Sequence, residues 1–256
     1  MSTPLDDPVR RRLIANAGIG GLGVLLGGCD KLNRSPTFRS ILSLGEGANY
    51  RAQRIIGRKA MAMEFSAGDL SPYFRPNGTT MPAAAEYRGH LANNFSNWRL
   101  RVDGLVERPL DVSLDALRSL PQRTQITRHD CVEGWSAIGQ WTGPQLSHLL
   151  HAASLRDSAR YIVFYCADDI GGRPYYESID LDDAFHPQTI LAHRLNGNPL
   201  PVMHGAPLRL RVERQLGYKQ AKYVMRIEAR SSLKDLFGGK GGMWEDRSGY
   251  QWYAGT

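Results

Sequence analysis

The chain has little cysteine and lacks the paired ligands that mark common zinc and haem sites. Its three cysteines, Cys29, Cys131 and Cys166, stand far apart, and the sequence has no Cys-x-x-Cys, Cys-x-x-Cys-His or His-x-x-x-His pattern. A structural zinc site and a covalently attached haem are therefore not predicted. No apolar run reaches ~18 residues, so no helix is predicted to span a membrane.

The chain also lacks, beyond its N-terminal segment, short basic runs with interleaved aromatic residues. Its formal net charge of +7 favours anionic partners but is not a nucleic-acid signal by itself. The apolar content of 42% and the charged content of 22% are ordinary for a globular protein. We expect one large domain or two small ones, and no nucleic-acid partner.

The N-terminal segment, residues 1–29, is predicted to be an export signal. Residues 10–14, Arg-Arg-Arg-Leu-Ile, resemble a twin-arginine motif, and a glycine-rich apolar run follows. Residues 26–29, Leu-Gly-Gly-Cys, resemble a lipoprotein cleavage box, and Asp30 resembles the residue that retains such proteins at the inner membrane. These signals predict a periplasmic protein held by a lipid anchor alone on the outer face of the inner membrane. A basic tail with an incidental cysteine is the alternative.

The rest of the chain is predicted to be an α+β protein rich in β structure. Strands are predicted from apolar patterns at 98–104, 161–165, 189–195, 208–212 and 223–229. Short helices are predicted at 113–120 and from 142–144 onward, whereas residues 73–82 and the segment around Cys131 are predicted to be loops. This pattern indicates β-rich mixed sheets with short helices.

Cys131 differs in its sequence neighbours from a cysteine that is buried only for packing. Arg128 and His129 precede it closely, and positive neighbours are expected to favour its thiolate. A thiolate is a nucleophile, a redox group or a ligand for a soft metal. The alternative is a structural cysteine, for example one in a disulfide with Cys166.

Several motifs together resemble the sulfite-oxidase family of molybdenum enzymes. They are Cys-Val-Glu-Gly-Trp-Ser at 131–136, Trp-Thr-Gly at 141–143, His-Gly-Ala-Pro-Leu-Arg at 204–209 and Gly-Tyr-Lys-Gln-Ala-Lys at 217–222. The resemblance is nearest to the periplasmic single-domain members, which include the catalytic subunit of bacterial methionine-sulfoxide reductase. It implies a sulfite-oxidase-like molybdopterin-binding fold and one molybdenum–molybdopterin cofactor.

The same resemblance implies roles for individual residues. Cys131 resembles the thiolate that ligates molybdenum, and Tyr175 and Arg75 resemble catalytic residues near the metal. The residues that resemble cofactor contacts are Asn77, Cys166, His204, Arg209, Gln220, Ala221 and Lys222.

Each of these assignments has a structural alternative. Arg209 is equally explained as a solvated residue on a strand edge, in step with Arg211, and His204 as a capped turn residue. Cys166 is also explained as a core cysteine at a strand end. Lys219, between the resembling residues, is predicted to be an exposed charge.

The residue patterns and the resemblance together predict the organisation of the chain. Residues 1–29 are expected to be the signal, residues 30–70 a tether followed by a wrapping segment, residues 71–235 the molybdopterin-binding catalytic domain, which the resemblance implies, and residues 236–256 an aromatic tail. The tail is expected to pack back on the domain, with partner binding as the alternative. The family's dimerisation domain is not recognised before the end at Thr256.

The expected activity is a two-electron oxygen-atom transfer on a small or protein-bound sulfur or nitrogen oxo substrate, such as methionine sulfoxide. Arginine is absent from Val132 to Gln145, where sulfite oxidases carry one that helps to form their sulfite pocket. Methionine-sulfoxide reductase subunits carry asparagine and threonine where this chain has His204 and Cys166. Because no haem motif is present, an external electron partner is expected, and the resemblance implies a membrane b-type cytochrome.

Two other classes of function compete with this interpretation. Residues 134–139, Gly-Trp-Ser-Ala-Ile-Gly, approach the Gly-x-Ser-x-Gly motif of serine hydrolases and would make Ser136 a nucleophile. The second glycine stands one residue too late for that motif. A non-catalytic periplasmic lipoprotein that binds a ligand is the other alternative.

Overall fold

The computed structural model describes residues 34–57 and 60–255, which belong to two separate compact units. The predicted export signal, including Cys29, lies outside the described residues, as does Asp30. The first unit contains helix α1 (Pro36–Gly57), 22 residues long, where the sequence predicts an irregular tether. Proline suits the first helical position because its φ is already helical. Within the described ranges, no helix combines the length and the apolar character needed to cross a bilayer.

The second unit contains short helices and eleven strands. The strands are β1 (Arg99–Gly104), β2 (Leu110–Ser113), β3 (Gln122–Cys131), β4 (Trp135–Pro144), β5 (Tyr161–Asp169), β6 (Pro174–Asp180), β7 (Ile190–Ala192), β8 (Arg194–Leu195), β9 (Asn198–Pro199), β10 (Arg209–Arg211) and β11 (Val224–Arg230). The helices are α2 (Ala85–Ala92), α3 (Leu114–Ser119), α4 (Leu146–Ala153), α5 (Leu181–Ala184) and α6 (Met243–Ser248), with single 3₁₀ turns at Ala67–Asp69, Val202–His204 and Gly217–Lys219.

The strands form one mixed sheet and two antiparallel sheets. The mixed sheet has the order β2-β1-β11-β5-β6, in which β1 and β11 are parallel and the other neighbours antiparallel. The other two sheets have the orders β3-β4-β8-β9 and β10-β7. The predicted α+β class with β-rich mixed sheets and short helices is confirmed.

Two apolar clusters hold these sheets. In the larger one, Val102, Phe164 and Ile227 of the mixed sheet are at most 1% exposed. A smaller cluster surrounds Trp141 of β4 and includes Phe74, whose ring lies 5.2 Å from the Trp141 ring at 88°. Burial of aromatic rings gives this small cluster most of its stability. It fixes the loop that carries Phe74 onto the β3–β4 hairpin.

The segment around Cys131 is not the loop that the sequence predicts. Cys131 ends β3, which pairs antiparallel with β4 along its whole length, and only residues 132–134 form the turn. Gln125, Thr127 and His129 are the buried positions of β3, and each is at most 1% exposed. Because these inward positions carry polar side chains, the hydrophobic alternation that normally marks a strand is missing.

Several other boundaries differ from the prediction. Helix α4 begins at Leu146, because Pro144 and its neighbours pair with β3 and extend β4. The strand predicted at 189–195 is divided between β7 and β8, which belong to different sheets. Strand β6 was not predicted because its buried positions include Glu177 and Ser178. The strands predicted at 98–104, 161–165 and 223–229 and the Ser113 helix cap are confirmed.

The C-terminal tail packs on the second unit. Trp252 Nε1 donates a hydrogen bond to Ser178 Oγ at 2.8 Å, and the Leu216 amide donates to the Ala254 carbonyl at 2.9 Å. The expectation that the tail returns to the domain is confirmed for its described part, which ends at residue 255.

Candidate cofactor site

A cavity of about 170 Å³ lies where the end of β3, the start of β6, the loop at 77–79 and the segment after the Gly217–Lys219 turn meet. Its walls include Asn77, Cys131, Tyr175, Gln220 and Lys222, half of the residues that the resemblance singles out. The remaining wall residues are Gly78, Thr79, Val132, Glu133, Asp168, Ile170, Tyr218, Trp244 and Tyr250. Residues far apart in sequence therefore meet in one place, as a binding site requires.

Cys131 presents a free, partly buried thiol to this cavity. Burial raises the pKa of the thiol, and the hydrogen bond from the Glu133 backbone and the charges of Arg209 and Arg75 oppose this only in part. The expectation that Arg128 and His129 favour the thiolate of Cys131 is wrong for the cofactor-free protein. Arg128 pairs with Asp130 at 3.0 Å, and the pKa of His129 is lowered well below its usual value by burial, so its ring is neutral.

His129 is a residue of the site that sequence reasoning missed. Its ring is fully buried, and its Nδ1 accepts a hydrogen bond from Arg211 Nη1 at 3.1 Å. The Gln220 amide oxygen lies 3.3 Å from the same nitrogen. A Cβ at Gly217 would lie 2.5 Å from His129 Nε2, so the ring fits only because residue 217 is glycine. The position of His129 two residues before Cys131 was the available sequence signal.

Arg209 and Arg211 are both fully buried, so the solvated-edge interpretation of Arg209 is wrong. Arg211 forms an ion pair with Glu213 at 2.6 Å and stacks over the Trp141 ring at 4.3 Å. Arg209 forms no such ion pair within the described part of the chain, and its Nε has no hydrogen-bond partner there. Burial, and then the charge of Arg211, lowers the pKa of Arg209 to about 9.

Two guanidinium nitrogens of Arg209 do donate hydrogen bonds, and they contact two residues that are predicted to bind the cofactor. Its Nη1 donates to the His204 carbonyl and its Nη2 to Asn77 Oδ1, both at 3.2 Å. The His204 ring packs edge-on against Phe74 at 5.7 Å, and its Nδ1 is buried without a partner in the described chain. Burial, and then the charges of Arg209 and Lys222, lowers the pKa of His204 to about 4.

Lys222 lies in the cavity wall with its ammonium group turned to the backbone. It donates to the carbonyls of Asn77 at 2.6 Å and Met203 at 3.0 Å, and also to that of Thr79. Burial, and then the charge of Arg209, lowers the pKa of Lys222 to about 7. Lys222 therefore holds the loop that presents Asn77 to the cavity.

The other predicted residues occupy different positions relative to the cavity. The Tyr175 hydroxyl donates to the Tyr218 carbonyl at 2.7 Å, so its proton is already used in the wall. The Arg75 guanidinium lies 5.9 Å above the Trp135 ring and does not contribute to the cavity wall. Ala221 is buried and accepts a backbone hydrogen bond from Leu210 at 2.8 Å.

Cys166 is a free thiol that does not contribute to the cavity wall. It lies in β5, in register with Val224 of β11, and burial raises its pKa well above the usual value. Since Cys131 is also free, the disulfide between them that the sequence left open is not formed.

The prediction that Lys219 is an exposed charge is wrong. Its side chain is fully buried, and its ammonium group contacts the carboxyl groups of Glu177 and, at 2.7 Å, Glu245. A buried ammonium is stable only when paired, and both partners lie far away in sequence. No local pattern could have revealed them.

The geometry does not support the hydrolase or the zinc interpretation. Ser136 lies in β4 of a strand–turn–strand hairpin, not at the strand-to-helix turn of a nucleophile elbow, and its Oγ donates to Asp130 Oδ1 at 2.5 Å. The part of the chain that the structure describes contains no group of three histidine, cysteine, aspartate or glutamate side chains that could hold a metal ion.

The residues around the cavity fit a polar, anionic group that brings its own metal ligands. Buried polar atoms are nearly always hydrogen-bonded, yet His204 Nδ1, Arg209 Nε and Asp168 Oδ1 have no partner among the described residues. Burial also raises the pKa of Asp168 to about 6. Unused donors and buried cations suit a phosphorylated heterocycle, and the Cys131 thiol supplies one soft ligand.

Comparisons with known proteins agree with this fit. A family model described as the oxidoreductase molybdopterin binding domain matches residues 88–237. A relative from Azospira oryzae, named protein-methionine-sulfoxide reductase subunit YedZ1, is 43% identical over 98% of this chain and 90% of its own length. The protein-methionine-sulfoxide reductase catalytic subunit MsrP of Ralstonia nicotianae is 36% identical over 85% of this chain and 67% of its own. The sulfane dehydrogenase SoxCD from Paracoccus pantotrophus is a structural neighbour with a TM-score of 0.49 at 24% identity, covering 54% of this chain and 39% of that chain.

Proposed function

The chain belongs to the family of molybdopterin-binding oxidoreductases to which the sulfite oxidases also belong, and from this premise we propose that it reduces methionine sulfoxide. The enzyme class and the molybdenum cofactor that the sequence predicts are those of the family. The observation that carries the proposal is one cavity whose wall contains the Cys131 thiol and Asn77, to which the buried and only partly hydrogen-bonded Arg209 donates from behind the wall.

The residues that would hold the cofactor come from the end of β3, the loop at 77–79 and the segment from His204 to Lys222. Cys131 would ligate molybdenum through its thiolate, because a bound metal ion deprotonates a coordinating thiol in spite of burial. Arg209 and His204 would donate to the pterin, and Asn77 would complete these contacts through the loop that Lys222 holds. When bound, the molybdenum cofactor supplies two-electron redox chemistry coupled to transfer of one oxygen atom.

The anionic end of the cofactor would be held by the segment 220–222. The Gln220 amide already donates to the Gly217 carbonyl at 3.1 Å and the Lys222 ammonium to three carbonyls, so we assign the phosphate to the backbone amides of Ala221 and Lys222, with the charges of Lys222 and Arg209 acting at longer range. Cys166 is a further candidate for a cofactor contact. It lies on β5, in register with Val224 of the paired strand β11, and Val224 follows the segment 220–222 closely.

The protein's own groups would orient the substrate. We assign this task to Arg75, whose positive charge acts on the Cys131 thiol, and to Tyr175 of the cavity wall, whose hydroxyl would exchange its hydrogen bond to the Tyr218 carbonyl for one to the substrate oxygen. A cation near the sulfoxide oxygen stabilises the negative charge that develops there as the S–O bond breaks. The Arg75 side chain is exposed, so solvent weakens this interaction until the substrate covers it.

The choice of methionine sulfoxide rests on the relatives and on the cavity lining. Both relatives above carry the name of a methionine-sulfoxide reductase. The cavity also offers apolar and aromatic side chains, among them Val132, Ile170 and Trp244, to a thioether-like side chain.

The location and the partner are part of the same proposal. The sequence of residues 1–29 supports export to the periplasm and a lipid anchor at Cys29 on the outer face of the inner membrane. A membrane b-type cytochrome would then deliver electrons, since no haem motif occurs in the chain. The anchor would raise the effective concentration of the two partners.

The proposal is tested with protein purified from a host that makes molybdopterin. We expect close to one molybdenum atom per chain and reduction of methionine sulfoxide by a reduced viologen dye. Protein from a host that cannot make molybdopterin is the matched control. Molybdenum-loaded protein that leaves methionine sulfoxide unchanged but oxidises sulfite would refute the proposed substrate and the direction of electron flow.

A further inference from the structure

The C-terminal tail contributes to the cavity although it lies outside the family model, which ends at residue 237. Trp244 and Tyr250 of the tail line the same cavity as Cys131. The two rings are nearly parallel, with centroids 5.8 Å apart and planes at 21°. Part of the cavity is therefore built by a segment that the matched domain does not include.

Local backbone geometry explains how two residues of the tail meet. Helix α6 ends at Gly249, whose φ of +69° lies in the left-handed region that glycine adopts without strain. The chain reverses there and returns Tyr250 to Trp244. Tyr218 continues the same surface, because its ring meets Tyr250 edge-on at 5.0 Å and 70°. We name Trp244, Tyr250 and Tyr218 the aromatic wall.

The helix that carries Trp244 is tightly held. Glu245, the next residue, is fully buried and receives the Lys219 ammonium at 2.7 Å. Asp246 accepts hydrogen bonds from the Gly238 and Lys240 amides at 2.9 and 3.0 Å. These contacts give the aromatic wall a definite place in the cavity, as specificity requires.

The guanidinium group of Arg247 connects the wall to another lining residue. It donates to the Ile170 carbonyl at 3.3 Å and stacks over the Trp244 ring at 6.0 Å. The Tyr218 hydroxyl donates to the Gln251 carbonyl at 2.5 Å, which holds the chain that follows Tyr250. The wall is thus supported from both ends.

We propose that the aromatic wall binds the methyl-sulfinyl end of a methionine sulfoxide side chain and so determines specificity within the cavity, an inference that rests on the proposed function. In a sulfoxide, the sulfur and its methyl group carry positive character and the oxygen carries negative character. Aromatic faces are negative and attract the former. The sulfoxide oxygen would then face the cationic side of the site, where the charges of Arg75 and Arg209 act on the Cys131 thiol.

The test compares variants of the aromatic wall in the molybdenum-loaded enzyme. For Trp244→Ala we expect kcat/KM for methionine sulfoxide to fall about tenfold, mainly through KM, which is ~1.4 kcal/mol of lost binding. Trp244→Phe keeps an aromatic face and should recover most of this loss. Phe237→Ala is the matched control, because this exposed ring belongs to the same segment but does not line the cavity.

A binding measurement separates this inference from the proposed function. The oxidised enzyme without an electron donor cannot turn over, so titration calorimetry with methionine sulfoxide gives its affinity directly. Weaker binding by Trp244→Ala, with wild-type binding by Phe237→Ala, supports the aromatic wall even if turnover is absent. Absence of turnover by the wild type contradicts only the proposed function.

The inference is overturned if Trp244→Ala retains its molybdenum, its melting temperature and a wild-type affinity for methionine sulfoxide. If Trp244→Ala does not fold, Tyr250→Ala provides the same test, because Tyr250 is 36% exposed and its removal disturbs less of the core. A wild-type affinity in folded Tyr250→Ala would then overturn the inference.

Discussion

The guanidinium of Arg209 donates a hydrogen bond to the side-chain oxygen of Asn77 at 3.2 Å, although the two residues are 132 positions apart in sequence. The bond joins β10 to the loop that lines the cavity. Arg209 is fully buried, and its Nε remains without a partner in the described chain. The protein alone thus carries a buried cation whose hydrogen-bonding capacity is only partly used.

Arg209→Met is expected to have opposite effects on stability and cofactor binding. Removing a buried, partly satisfied cation relieves its desolvation, so the cofactor-free variant should be within about 1 kcal/mol of wild type or more stable. Cofactor retention should fall about 10- to 100-fold. Urea unfolding of cofactor-free protein and molybdenum content after gel filtration measure the two effects.

The exposed Arg99 supplies the control, since its side chain is 52% exposed. Arg99→Met should change neither quantity. A cofactor-free Arg209→Met protein that loses several kcal/mol, with full molybdenum content when loaded, would show that Arg209 is structural.

Cys131→Ser is expected to abolish catalysis and leave the fold intact. A serine hydroxyl is a far poorer ligand for a soft metal than a thiolate, so activity should fall at least about 100-fold. The visible absorption of a thiolate-to-molybdenum charge transfer should disappear with it. Cys166→Ala is the comparison, because this free thiol lies outside the cavity wall and, even as a cofactor contact, should leave the charge-transfer absorption in place. Equal losses in both variants would argue against a ligand role specific to Cys131.

Lys219→Met is expected to destabilise the protein by about 3–5 kcal/mol, because it leaves buried carboxyl groups without their cation. Burial raises the pKa of Glu177 well above its usual range and Lys219 opposes this shift, so the ammonium group makes a charge on the two buried carboxyl groups tolerable. Guanidinium unfolding measures the loss. Adding Glu245→Gln to Lys219→Met should restore part of it, since both members of the charge pair are then gone.

An exposed ion pair provides the scale for this effect. Arg118 and Asp115 lie 3.1 Å apart with side chains 46% and 91% exposed, and Arg118→Ala should cost less than about 1 kcal/mol. A similar small cost for Lys219→Met would contradict the assignment of a buried, balanced pair.

Stability is expected to fall as the pH falls from about 6.5 to about 4. Burial lowers the pKa values of His186 and His193 to about 4, so between these pH values the unfolded chain binds protons that the folded chain does not. Their contribution is complete above the unfolded pKa and is lost as the pH approaches the folded one. Asp168, with a pKa raised to about 6, acts in the opposite direction and offsets one of these protons.

His193→Gln should remove one proton from the protons taken up on unfolding and so reduce the loss of stability over this pH range by about 1–2 kcal/mol. Glutamine can still reach the Gln122 side chain that His193 Nε2 contacts at 2.9 Å. Urea unfolding midpoints across this pH range measure the slope. His151→Gln, at an exposed position, is the control and should leave the slope unchanged.

The chemistry of the site could be predicted from residues that lie close together in sequence. The motifs at 131–136, 204–209 and 217–222 predicted the family, the cofactor and a metal-binding Cys131, because a cofactor is recognised by a few residue types in short segments. Apolar periodicity similarly predicted the strands at 161–165 and 223–229, since their inward positions are hydrophobic.

Only the tertiary structure decided which polar residues are buried and which segments meet. Lys219 was predicted to be an exposed charge and the burial of Arg209 and His129 was not predicted, because the partners that make burial tolerable come from distant segments of the chain. For the same reason β3 and β6 escaped prediction, as their inward positions are polar. The sequence by itself determined the chemical groups and the family. The fold determined the charge states and contacts of these groups, and it brought Trp244 and Cys131 into one cavity. Burial and proximity depend on contacts between segments that no local pattern encodes.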